Sequence, residues 1–342
     1  MKHYVKAISA VGIAMAATLS SQPTLAQAFK SAPAGDWAKV VAEAKKEGRV
    51  ALYSAAVPAT LNRLKADFEK LNPGITVEIT RITGIQLVSK MDQERDTGAD
   101  GADVAITPET SWVTDRAKAN QLKLPVGPAA AAWPVKYIQS GGSPMLAIEP
   151  MIIVYNTNLV KTPVNDYADL MRPEFKGKLA TPDLVATIFT AWYDWLEQTR
   201  GPKLLPGLAA QGPKFYASAV QSTQQVVAGE LAGVTLTVPS ITGPLVAQGA
   251  PIRVVVPKPA VGTPYYGVIA TWSKRPNAAQ VFMDYVMSPA GQTTWAVLGE
   301  IASPLPNIAK SLDISTTAAA DPSKFPPDAN AAYKAKWDKI FK

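Results

Sequence analysis

The 342-residue sequence contains no cysteine and a single histidine, His3. His3 lies in an N-terminal segment that we expect to be removed, so the mature chain would lack both thiol and imidazole groups. Such a chain cannot form a Ser-His-Asp triad, a cysteine nucleophile or a conventional His/Cys zinc site, and it gains no stability from disulfides. Most common secreted hydrolases are therefore excluded, while paired carboxylates or a Ser-Lys dyad would still permit catalysis.

Long runs of like charge are also absent, which argues against a nucleic-acid surface or a polybasic membrane patch. The net charge is +7, and removal of residues 1–28, which contain two lysines and no acid, would leave +5. No apolar stretch beyond the N-terminal segment has the length of a transmembrane span. We therefore expect a soluble, mildly basic protein without a nucleic-acid partner.

Residues 1–28 have the features of a secretory signal peptide. Lys2 and Lys6 precede the apolar run 7–19, and residues 26–28, Ala-Gln-Ala, form a small-residue cleavage pattern. A transmembrane anchor is the competing interpretation, but the run is interrupted by small and polar residues and is shorter than the roughly 18 to 20 residues that a span needs. No cysteine follows to carry a lipid. We predict export to the periplasm and release of the mature chain, beginning near residue 27 or 29.

Short apolar segments alternate with helical patterns along the mature chain. A strand at 49–53 is followed by an amphipathic helix that opens at Pro58, and an alternating strand at 75–79 comes next. Strands that alternate with helices of this length favour parallel pairing in an α/β sheet. In such sheets, ligands bind beyond the carboxyl ends of the strands. The segments predicted at that edge are Ser54, Thr83-Gly84 and residues 107–109.

The mature chain, about 310 residues long, exceeds the size at which one core usually divides into two. The Ala-, Gly- and Pro-rich stretch 125–144 predicts the approach to a crossing between two lobes. A second series of strands and helices follows, with a helix predicted through 215–229. Segment 262–266 predicts the return crossing, before a strand at 267–271. We expect one lobe of residues 29–143 and 263–342, and a second lobe of residues 144–262.

Several short phrases occur in a particular order across nearly the whole mature chain. They are Gly48-Arg49-Val50 with Tyr53-Ser54, Phe68-Glu69 with Pro73-Gly74, Ala102-Asp103-Val104, Ile153-Val154-Tyr155-Asn156, Phe175-Lys176-Gly177-Lys178, Gly229-Glu230, Pro276-Asn277-Ala278-Ala279 and Ser288-Pro289-Ala290-Gly291-Gln292. Each phrase alone is weak, but the ordered set resembles the ABC-transporter extracellular solute-binding family, which includes ferric-iron, thiamine, polyamine and phosphonate binders.

This resemblance implies an α/β protein with the two-lobed periplasmic-binding-protein fold, a type II-like clamshell in which each lobe is a mostly parallel sheet flanked by helices. The lobes would close on a solute at their interface, because the ligand touches both lobes only in the closed form. Tyr155 and residues 262–266 fall where the hinge would lie.

Ferric-ion binders of the family typically supply a histidine after the first strand, a glutamate after the third and a tyrosine pair after the strand that follows the Gly-Glu phrase. Here those places hold Val57, Pro108-Glu109 and Pro239-Ser240, so the full iron set is missing. Tyr265-Tyr266 could substitute for the pair, but it stands later in the chain, where one cleft-lining and one packed tyrosine are the more ordinary interpretation. An iron binder with non-standard ligands stays an alternative.

The remaining candidates for ligand contact are mainly small and neutral. Ser and Thr hydroxyls and the free N–H groups of helix starts suit an anion or carboxylate, although such residues also routinely cap helices. Trp112 is the best aromatic candidate, whereas Trp192 and Trp195 share a predicted helix face with Phe189 and favour core packing. The predicted ligand-binding residues are Ser54, Ala55, Thr83, Gly84, Thr107, Glu109, Trp112, Asp183, Thr187, Ser240, Tyr265 and Tyr266.

We therefore expect a monomeric periplasmic protein that captures a small polar or anionic solute and delivers it to an ABC permease in the inner membrane, with no catalytic residue, metal or cofactor of its own. Carboxylates, phosphonates, polyamines and small aromatic compounds all remain possible ligands. A secreted carboxylate-dependent hydrolase or lyase is the alternative from another class, and it would need two acids in one cleft, for which Glu109 and Asp183 are the candidates. A sensor subunit that docks on a membrane receptor would share the fold and the site.

Overall fold

The computed structural model describes residues 29, 33–82, 84–139 and 141–342. The predicted signal peptide and the candidate Thr83 lie outside the described residues. The strands are β1 (Arg49–Ser54), β2 (Thr76–Arg81), β3 (Val104–Thr107), β4 (Leu122–Lys123), β5 (Met145–Pro150), β6 (Ile152–Asn156), β7 (Leu179–Pro182), β8 (Lys214–Tyr216), β9 (Gly233–Thr237), β10 (Ile252–Val255), β11 (Ala260–Ala270) and β12 (Thr317–Ala319). The helices are α1 (Ala34–Glu47), α2 (Pro58–Leu71), α3 (Gly84–Thr97), α4 (Thr110–Lys118), α5 (Pro128–Ala131), α6 (Thr187–Arg200), α7 (Leu204–Ala209), α8 (Ala219–Val227), α9 (Pro239–Ala247), α10 (Pro276–Met287), α11 (Pro289–Ala296) and α12 (Pro327–Phe341).

The predicted α/β class is confirmed, and the elements form two lobes, one around each of two sheets. The sheet of the first lobe has seven strands in the order β12–β11–β3–β1–β2, with β4 and β5 also paired to β11. β1 runs parallel to β2 and β3, because α2 and α3 return the chain to the same end of the sheet. The long strand β11 runs antiparallel to β3, β4 and β5, so the sheet is mixed.

The sheet of the second lobe has five strands in the order β10–β6–β9–β7–β8. β7 runs parallel to β8 and β9, while β6 runs antiparallel to β9 and β10. β7 and β9 lead into α6 and α9, so the first turns of both helices lie beyond the carboxyl ends of parallel strands, the edge at which ligands bind in such sheets.

Local sequence explains where the helices of the first lobe begin and end. Pro58 stands in the first turn of α2, where its missing N–H is not needed. The buried face of the helix carries Leu61, Leu64 and Phe68 at helical spacing. Phe68 packs against Phe282 of α10 with ring centroids 5.1 Å apart, and burying such a side chain contributes about 1.5–3 kcal/mol. The amphipathic pattern of α2 therefore places it against α10 in the first core.

The core of the second lobe is rich in aromatic side chains. Trp192 and Tyr193 of α6 are fully buried, as predicted for Trp192. The C-terminal helix α12 contributes Trp337, which is also fully buried and lies with its ring centroid 5.7 Å from that of Tyr193 and 5.1 Å from that of Phe215. Although β12 belongs to the first sheet, the chain after it therefore ends on the second lobe.

The chain passes between the lobes three times. It leaves the first sheet after β5 and enters the second at β6, and it returns between β10 and β11. The third passage follows β12 and leads to α12. Gly262 of β11 lies against this region, where a Cβ atom would stand 2.3 Å from the carbonyl oxygen of Glu149. A side chain at position 262 would push β11 away from the backbone of β5.

Two predicted elements differ in the structure. The helix expected through 215–229 begins only at Ala219, because Lys214–Tyr216 pairs with β7 as a short parallel strand. Residues 262–266, expected as the return crossing, form the centre of β11, and the change of sheet occurs before Ala260. Pairing with β5 keeps the segment extended inside the first sheet. Within the described part of the chain, no helix has both the length and the apolar character that a membrane span requires.

Candidate functional site

A cavity of about 510 Å³ lies between the two lobes, at the carboxyl ends of β3 and β7. The first lobe lines it from the start of α3 and from the loop after β3, and the second lobe from the start of α6. The strand β11 and the segment before α12 complete it. The lining residues are Gly84, Gln86, Pro108, Glu109, Val185, Ala186, Thr187, Ile188, Thr263 and Pro322.

Glu109 is the acidic residue of this cavity. The backbone N–H of Glu109 donates to Oγ1 of the buried Thr107 at 3.3 Å, which fixes the turn that presents the side chain. Gly84 lies beside the carboxylate, since a Cβ atom there would stand 3.7 Å from Oε1 of Glu109. Burial raises the pKa of Glu109, and no described residue offsets the effect. The carboxylate is therefore positioned to accept hydrogen bonds from a bound molecule or to pair with a cation.

The start of α6 faces the cavity from the other lobe. Ala186 occupies the N-cap position and supplies no side-chain cap. Within the first turn, the N–H of Phe189 donates to the carbonyl oxygen of Ala186 at 3.0 Å, and no side chain caps the N–H groups of Thr187 and Ile188. Thr187, in that first turn, lines the cavity. Val185 is 59% exposed at its edge. The helix dipole adds partial positive charge here, so the second lobe offers hydrogen-bond donors opposite the carboxylate of the first.

Of the predicted site residues, the structure brings Gly84, Glu109 and Thr187 together in the cavity. Thr107 is fully buried and does not line the cavity; its Oγ1 accepts the N–H of Glu109 and so helps to position that residue. Asp183 is absent from the lining: its Oδ1 accepts the backbone N–H of Leu184 at 2.8 Å and stabilises the turn after β7.

Three predicted residues are used inside the first lobe instead. Ser54 is fully buried; its Oγ donates to the carbonyl of Ile106 at 3.1 Å and accepts the N–H of Ala56 at 3.1 Å. Ala55 donates its N–H to the same carbonyl at 3.3 Å. Trp112 packs at the edge of the core, and its Nε1 donates to Oδ2 of Asp92 at 3.0 Å.

Ser240 and Tyr265 meet at Glu149, near the end of β5, which the sequence did not single out. Ser240 Oγ donates to Oε1 of Glu149, and the Tyr265 hydroxyl donates to Oε2 at 3.3 Å. Burial raises the pKa of Glu149 to about 7; the bond from Ser240 opposes this rise, and the nearby carboxylate of Glu300 adds to it. A buried carboxylate thus joins β5 of the first lobe to the first turn of α9 of the second.

The tyrosine pair does not offer phenolate ligands. Burial, followed by the charge of Glu149, holds the pKa of Tyr265 well above its ordinary value, and burial also raises the pKa of Tyr266. Both side chains are less than a tenth exposed and pack in different cores, because neighbouring residues of a strand point to opposite faces. Among the described residues, no group of three or more His, Cys, Asp or Glu side chains is placed to hold a metal ion.

Several lining residues were missed by sequence reasoning. Gln86, Pro108, Ala186 and Ile188 lie next to predicted positions, so the rule of strand ends locates their segments without selecting them. Thr263 and Pro322 carry no such signal, because their place at the cavity depends on how the passages between the lobes fold. A second, more open groove of about 610 Å³ lies within the first lobe, between residues 134–137 and 303–315. We favour the smaller cavity as the site because both lobes contribute to it.

Comparison with protein families gives one match that covers most of the chain. A family model described as "Bacterial extracellular solute-binding protein" matches residues 49–299. No curated protein sequence matches the chain.

Solved structures share the fold at low sequence identity. A substrate-binding protein of an ABC transporter from Agrobacterium tumefaciens superposes with a TM-score of 0.73 at 18% identity, covering 87% of this chain and 96% of that one. Iron-bound HitA from Pseudomonas aeruginosa has a TM-score of 0.66 at 18% identity, with 85% and 99% covered. AfuA from Actinobacillus pleuropneumoniae, with fructose-6-phosphate bound, has a TM-score of 0.65 at 17% identity, with 86% and 99% covered.

Proposed function

Because the chain belongs to the bacterial extracellular solute-binding protein family, we propose that it captures a small polar solute for an ABC importer and has no catalytic activity of its own. The observation that carries the proposal is the cavity between the lobes, whose walls come from α3 and the β3–α4 loop on one side and from α6 on the other. A solute that touches both walls stabilises the closed arrangement, since only that arrangement offers both sets of contacts.

The proposal places the protein in the periplasm, exported by the N-terminal signal and acting as a monomer that docks on an inner-membrane permease. The structural likeness to the substrate-binding protein of an ABC transporter supports the assignment to an importer. We keep the division into lobes near residues 144 and 262 as a proposal. The packing of Trp337 favours assigning α12, together with residues 144–262, to the second lobe.

The chemistry of the cavity restricts the solute. Glu109 offers a carboxylate and α6 offers backbone donors, and among the described residues no lysine or arginine lines the cavity. The best complement is a small molecule with a hydroxyl or amine group facing Glu109 and a carbonyl, carboxylate or phosphoryl oxygen facing Thr187. A solute whose only polar groups are anionic would meet the Glu109 carboxylate unfavourably.

A thermal-shift screen with a matched pair of variants tests this proposal. The panel contains amino acids, polyols, sugar phosphates, phosphonates, polyamines and ferric ion. A compound at about 100 times its Kd stabilises the folded protein by about 2.7 kcal/mol, enough to raise the Tm by several degrees. Glu109→Gln should weaken the best compound by about tenfold to a hundredfold, since it removes a charged hydrogen bond.

The control is Glu230→Gln, because Glu230 is exposed before the amino end of β9, at the opposite edge of the sheet from the cavity. It should leave the shift unchanged. An equal loss of affinity in both variants would contradict the assignment of the site, as would a shift with ferric ion alone.

The two alternatives from other classes receive less support. A carboxylate-dependent hydrolase would need a second acid facing Glu109, but Asp183 is engaged in the turn after β7 and does not line the cavity. An iron site would need ionised phenols, which the burial of Tyr265 and Tyr266 opposes. If the purified protein consumed any compound of the panel, the result would support the hydrolase alternative.

A further inference from the structure

Glu149 occupies the contact between the lobes where α9 meets β5. It lies one residue before the end of β5, next to the passage into the second lobe, and it is 8% exposed. Ser240, in the first turn of α9, donates to one carboxylate oxygen, and Tyr265 of β11 donates to the other. Tyr265 belongs to the same sheet as Glu149, whereas Ser240 follows β9 of the other sheet. The bond from Ser240 is therefore the one that separation of the lobes would break.

A second contact shows that α9 is seated against the first lobe at this place. A Cβ atom on Gly243, one turn further along α9, would stand 3.1 Å from the side chain of Leu298, which follows α11. In this position α9 shields the Glu149 side chain from solvent. If α9 moves away with the second lobe, water reaches the carboxylate and the Ser240 bond is lost.

The charges around Glu149 are unbalanced toward the acidic side. The acidic neighbour is Glu300, which is 1% exposed and whose Oε2 accepts hydrogen bonds from Thr60 at 3.0 Å and from Arg63 of α2. Oε1 of Glu300 is buried without a hydrogen-bond partner. Arg63 therefore pairs with Glu300, and the charge of Arg81 of β2 lowers the pKa of Tyr265.

No other titratable side chain faces Glu149 from the elements packed against it among the described residues. Residues 239–247 of α9 contain no acidic or basic residue. On β11, the residue with a titratable group at the contact is Tyr265, which stays protonated because burial raises its pKa. Burial also raises the pKa of Glu300, but the ion pair with Arg63 and the hydrogen bond from Thr60 oppose that rise. Among the described residues no cation pairs with Glu149, so Glu149 is the group in this contact whose pKa lies near neutrality.

We propose that Glu149 and Ser240 form a proton-sensitive latch, in which closure of the two lobes is accompanied by uptake of up to one proton, depending on pH, on the Glu149 carboxyl group. In the closed form, the protonated carboxyl keeps both contacts, since it can donate to the Ser240 hydroxyl while accepting from Tyr265. In the open form, hydration favours the ionised carboxylate. The inference rests on the proposed function in one respect, namely that the lobes open and close.

The direction of the pH effect follows from the two forms. The pKa of Glu149 is about 7 in the closed form, above the ordinary value of 4.5 that hydration restores in the open form. A group whose pKa is raised in one form stabilises that form fully below the lower value, and the effect is lost as pH rises through the higher value. The ratio of closed to open molecules should therefore fall by about tenfold between pH 6 and pH 8 and level off above it.

Spin labels report this ratio without any ligand, and the absence of cysteine lets two be introduced without interference. Lys118→Cys at the end of α4 and Thr199→Cys on α6 place exposed labels on opposite lobes. Distance distributions are recorded from pH 5.5 to 8.5 for the labelled protein, for the same protein carrying Glu149→Gln, and for the same protein carrying the control Glu230→Gln. The parent and the control should show the tenfold change between pH 6 and 8, and Glu149→Gln should show no change.

Ser240→Ala gives an independent result if the glutamine variant fails to fold. The Ser240 hydroxyl lowers the pKa of Glu149, so its removal should move the pH midpoint of the distance change upward. An unmoved midpoint in Ser240→Ala, a distance distribution of the parent that does not depend on pH, or a Glu149→Gln variant that keeps the pH dependence would each overturn the latch. Distances that change with a panel compound but not with pH would refute the latch alone, whereas distances that change under neither condition would refute the proposed closure as well.

Discussion

Replacing Arg275 by methionine is the sharpest test of how the first lobe is held together. Arg275 lies just before α10, and its Nε donates to Oδ2 of Asp103 at 2.6 Å while Nη1 donates to Oδ2 of Asp100 at 2.9 Å. Asp103 is fully buried, and it also accepts from the N–H of Ala51 at 2.8 Å and from the hydroxyl of Ser273 at 2.7 Å. The guanidinium thus ties the start of α10 to the buried strands β1 and β3.

The two halves of this contact differ in energy because they differ in exposure. Removing one partner of a buried ion pair costs about 3–5 kcal/mol, since the other charge is left without compensation. The Asp100 side chain is 51% exposed, and an exposed pair contributes about 1 kcal/mol at most. Arg275→Met should therefore lower the free energy of unfolding by about 3–5 kcal/mol, nearly all of it through Asp103.

Arg49→Met is the matched control. Arg49 also donates to Oδ2 of Asp100, at 2.9 Å, and it pairs with Glu78 of β2. Its side chain is 36% exposed, and it does not reach Asp103. Each of these exposed pairs contributes about 1 kcal/mol at most, so the loss of Arg49 should cost less than about 2 kcal/mol. Urea denaturation followed by far-ultraviolet circular dichroism measures both variants, and both changes lie in the same lobe, so the same transition reports them.

The double replacement Asp103→Asn with Arg275→Met separates charge from packing. If the stranded charge causes the loss, removing both charges should restore part of the stability that Arg275→Met loses. A loss in Arg275→Met no larger than that in Arg49→Met would refute the reasoning, because it would mean that Asp103 does not depend on the guanidinium.

Two further substitutions test the packing described above. Trp337→Ala should lower the free energy of unfolding by about 3–5 kcal/mol in urea denaturation, because it opens a cavity beside Phe215 in the second core; a cost below about 1 kcal/mol would show that α12 is not seated there. Gly291→Ala should destabilise by about 1–3 kcal/mol, because the new Cβ would stand 2.2 Å from the backbone oxygen of Tyr285. Gly35→Ala meets nothing within 4 Å and should be neutral or stabilise by about 0.4–1 kcal/mol, so equal Tm values for the two alanine variants would contradict the close approach of α11 to the end of α10.

The sequence predicted best where a local pattern decides the structure. The apolar spacing in α2 and the alternation in β2 identify their elements because each pattern matches one period. The phrase Ala102-Asp103-Val104, one of those that carry the family resemblance, has a structural role: the Asp103 carboxylate is the buried partner of Arg275. The family and the α/β class followed from such short-range signals taken together.

The sequence predicted least where contacts between distant segments decide. β11 was divided into a crossing and a strand because its glycines and proline hide the pairing with β5. The strand-end rule placed Ser54 and Glu109 alike at one edge of the sheet, but Ser54 points into the protein and Glu109 into the cavity. That difference depends on how the lobes meet. Glu149 stands between the apolar segments 145–148 and 151–154, but its partners Ser240 and Tyr265 come from distant parts of the chain, so its role at the contact between the lobes could not be predicted.

The course of the C-terminal segment limits how this protein can be re-engineered. An exchange of the second lobe between relatives looks, on the linear sequence, like a single replacement of positions 151–259. Such a chimera would pair a foreign aromatic core with the original Trp337 and Phe341, whose neighbours Tyr193 and Phe215 would have been replaced. Recombination that exchanges the second lobe must therefore move residues 327–341 together with the central block.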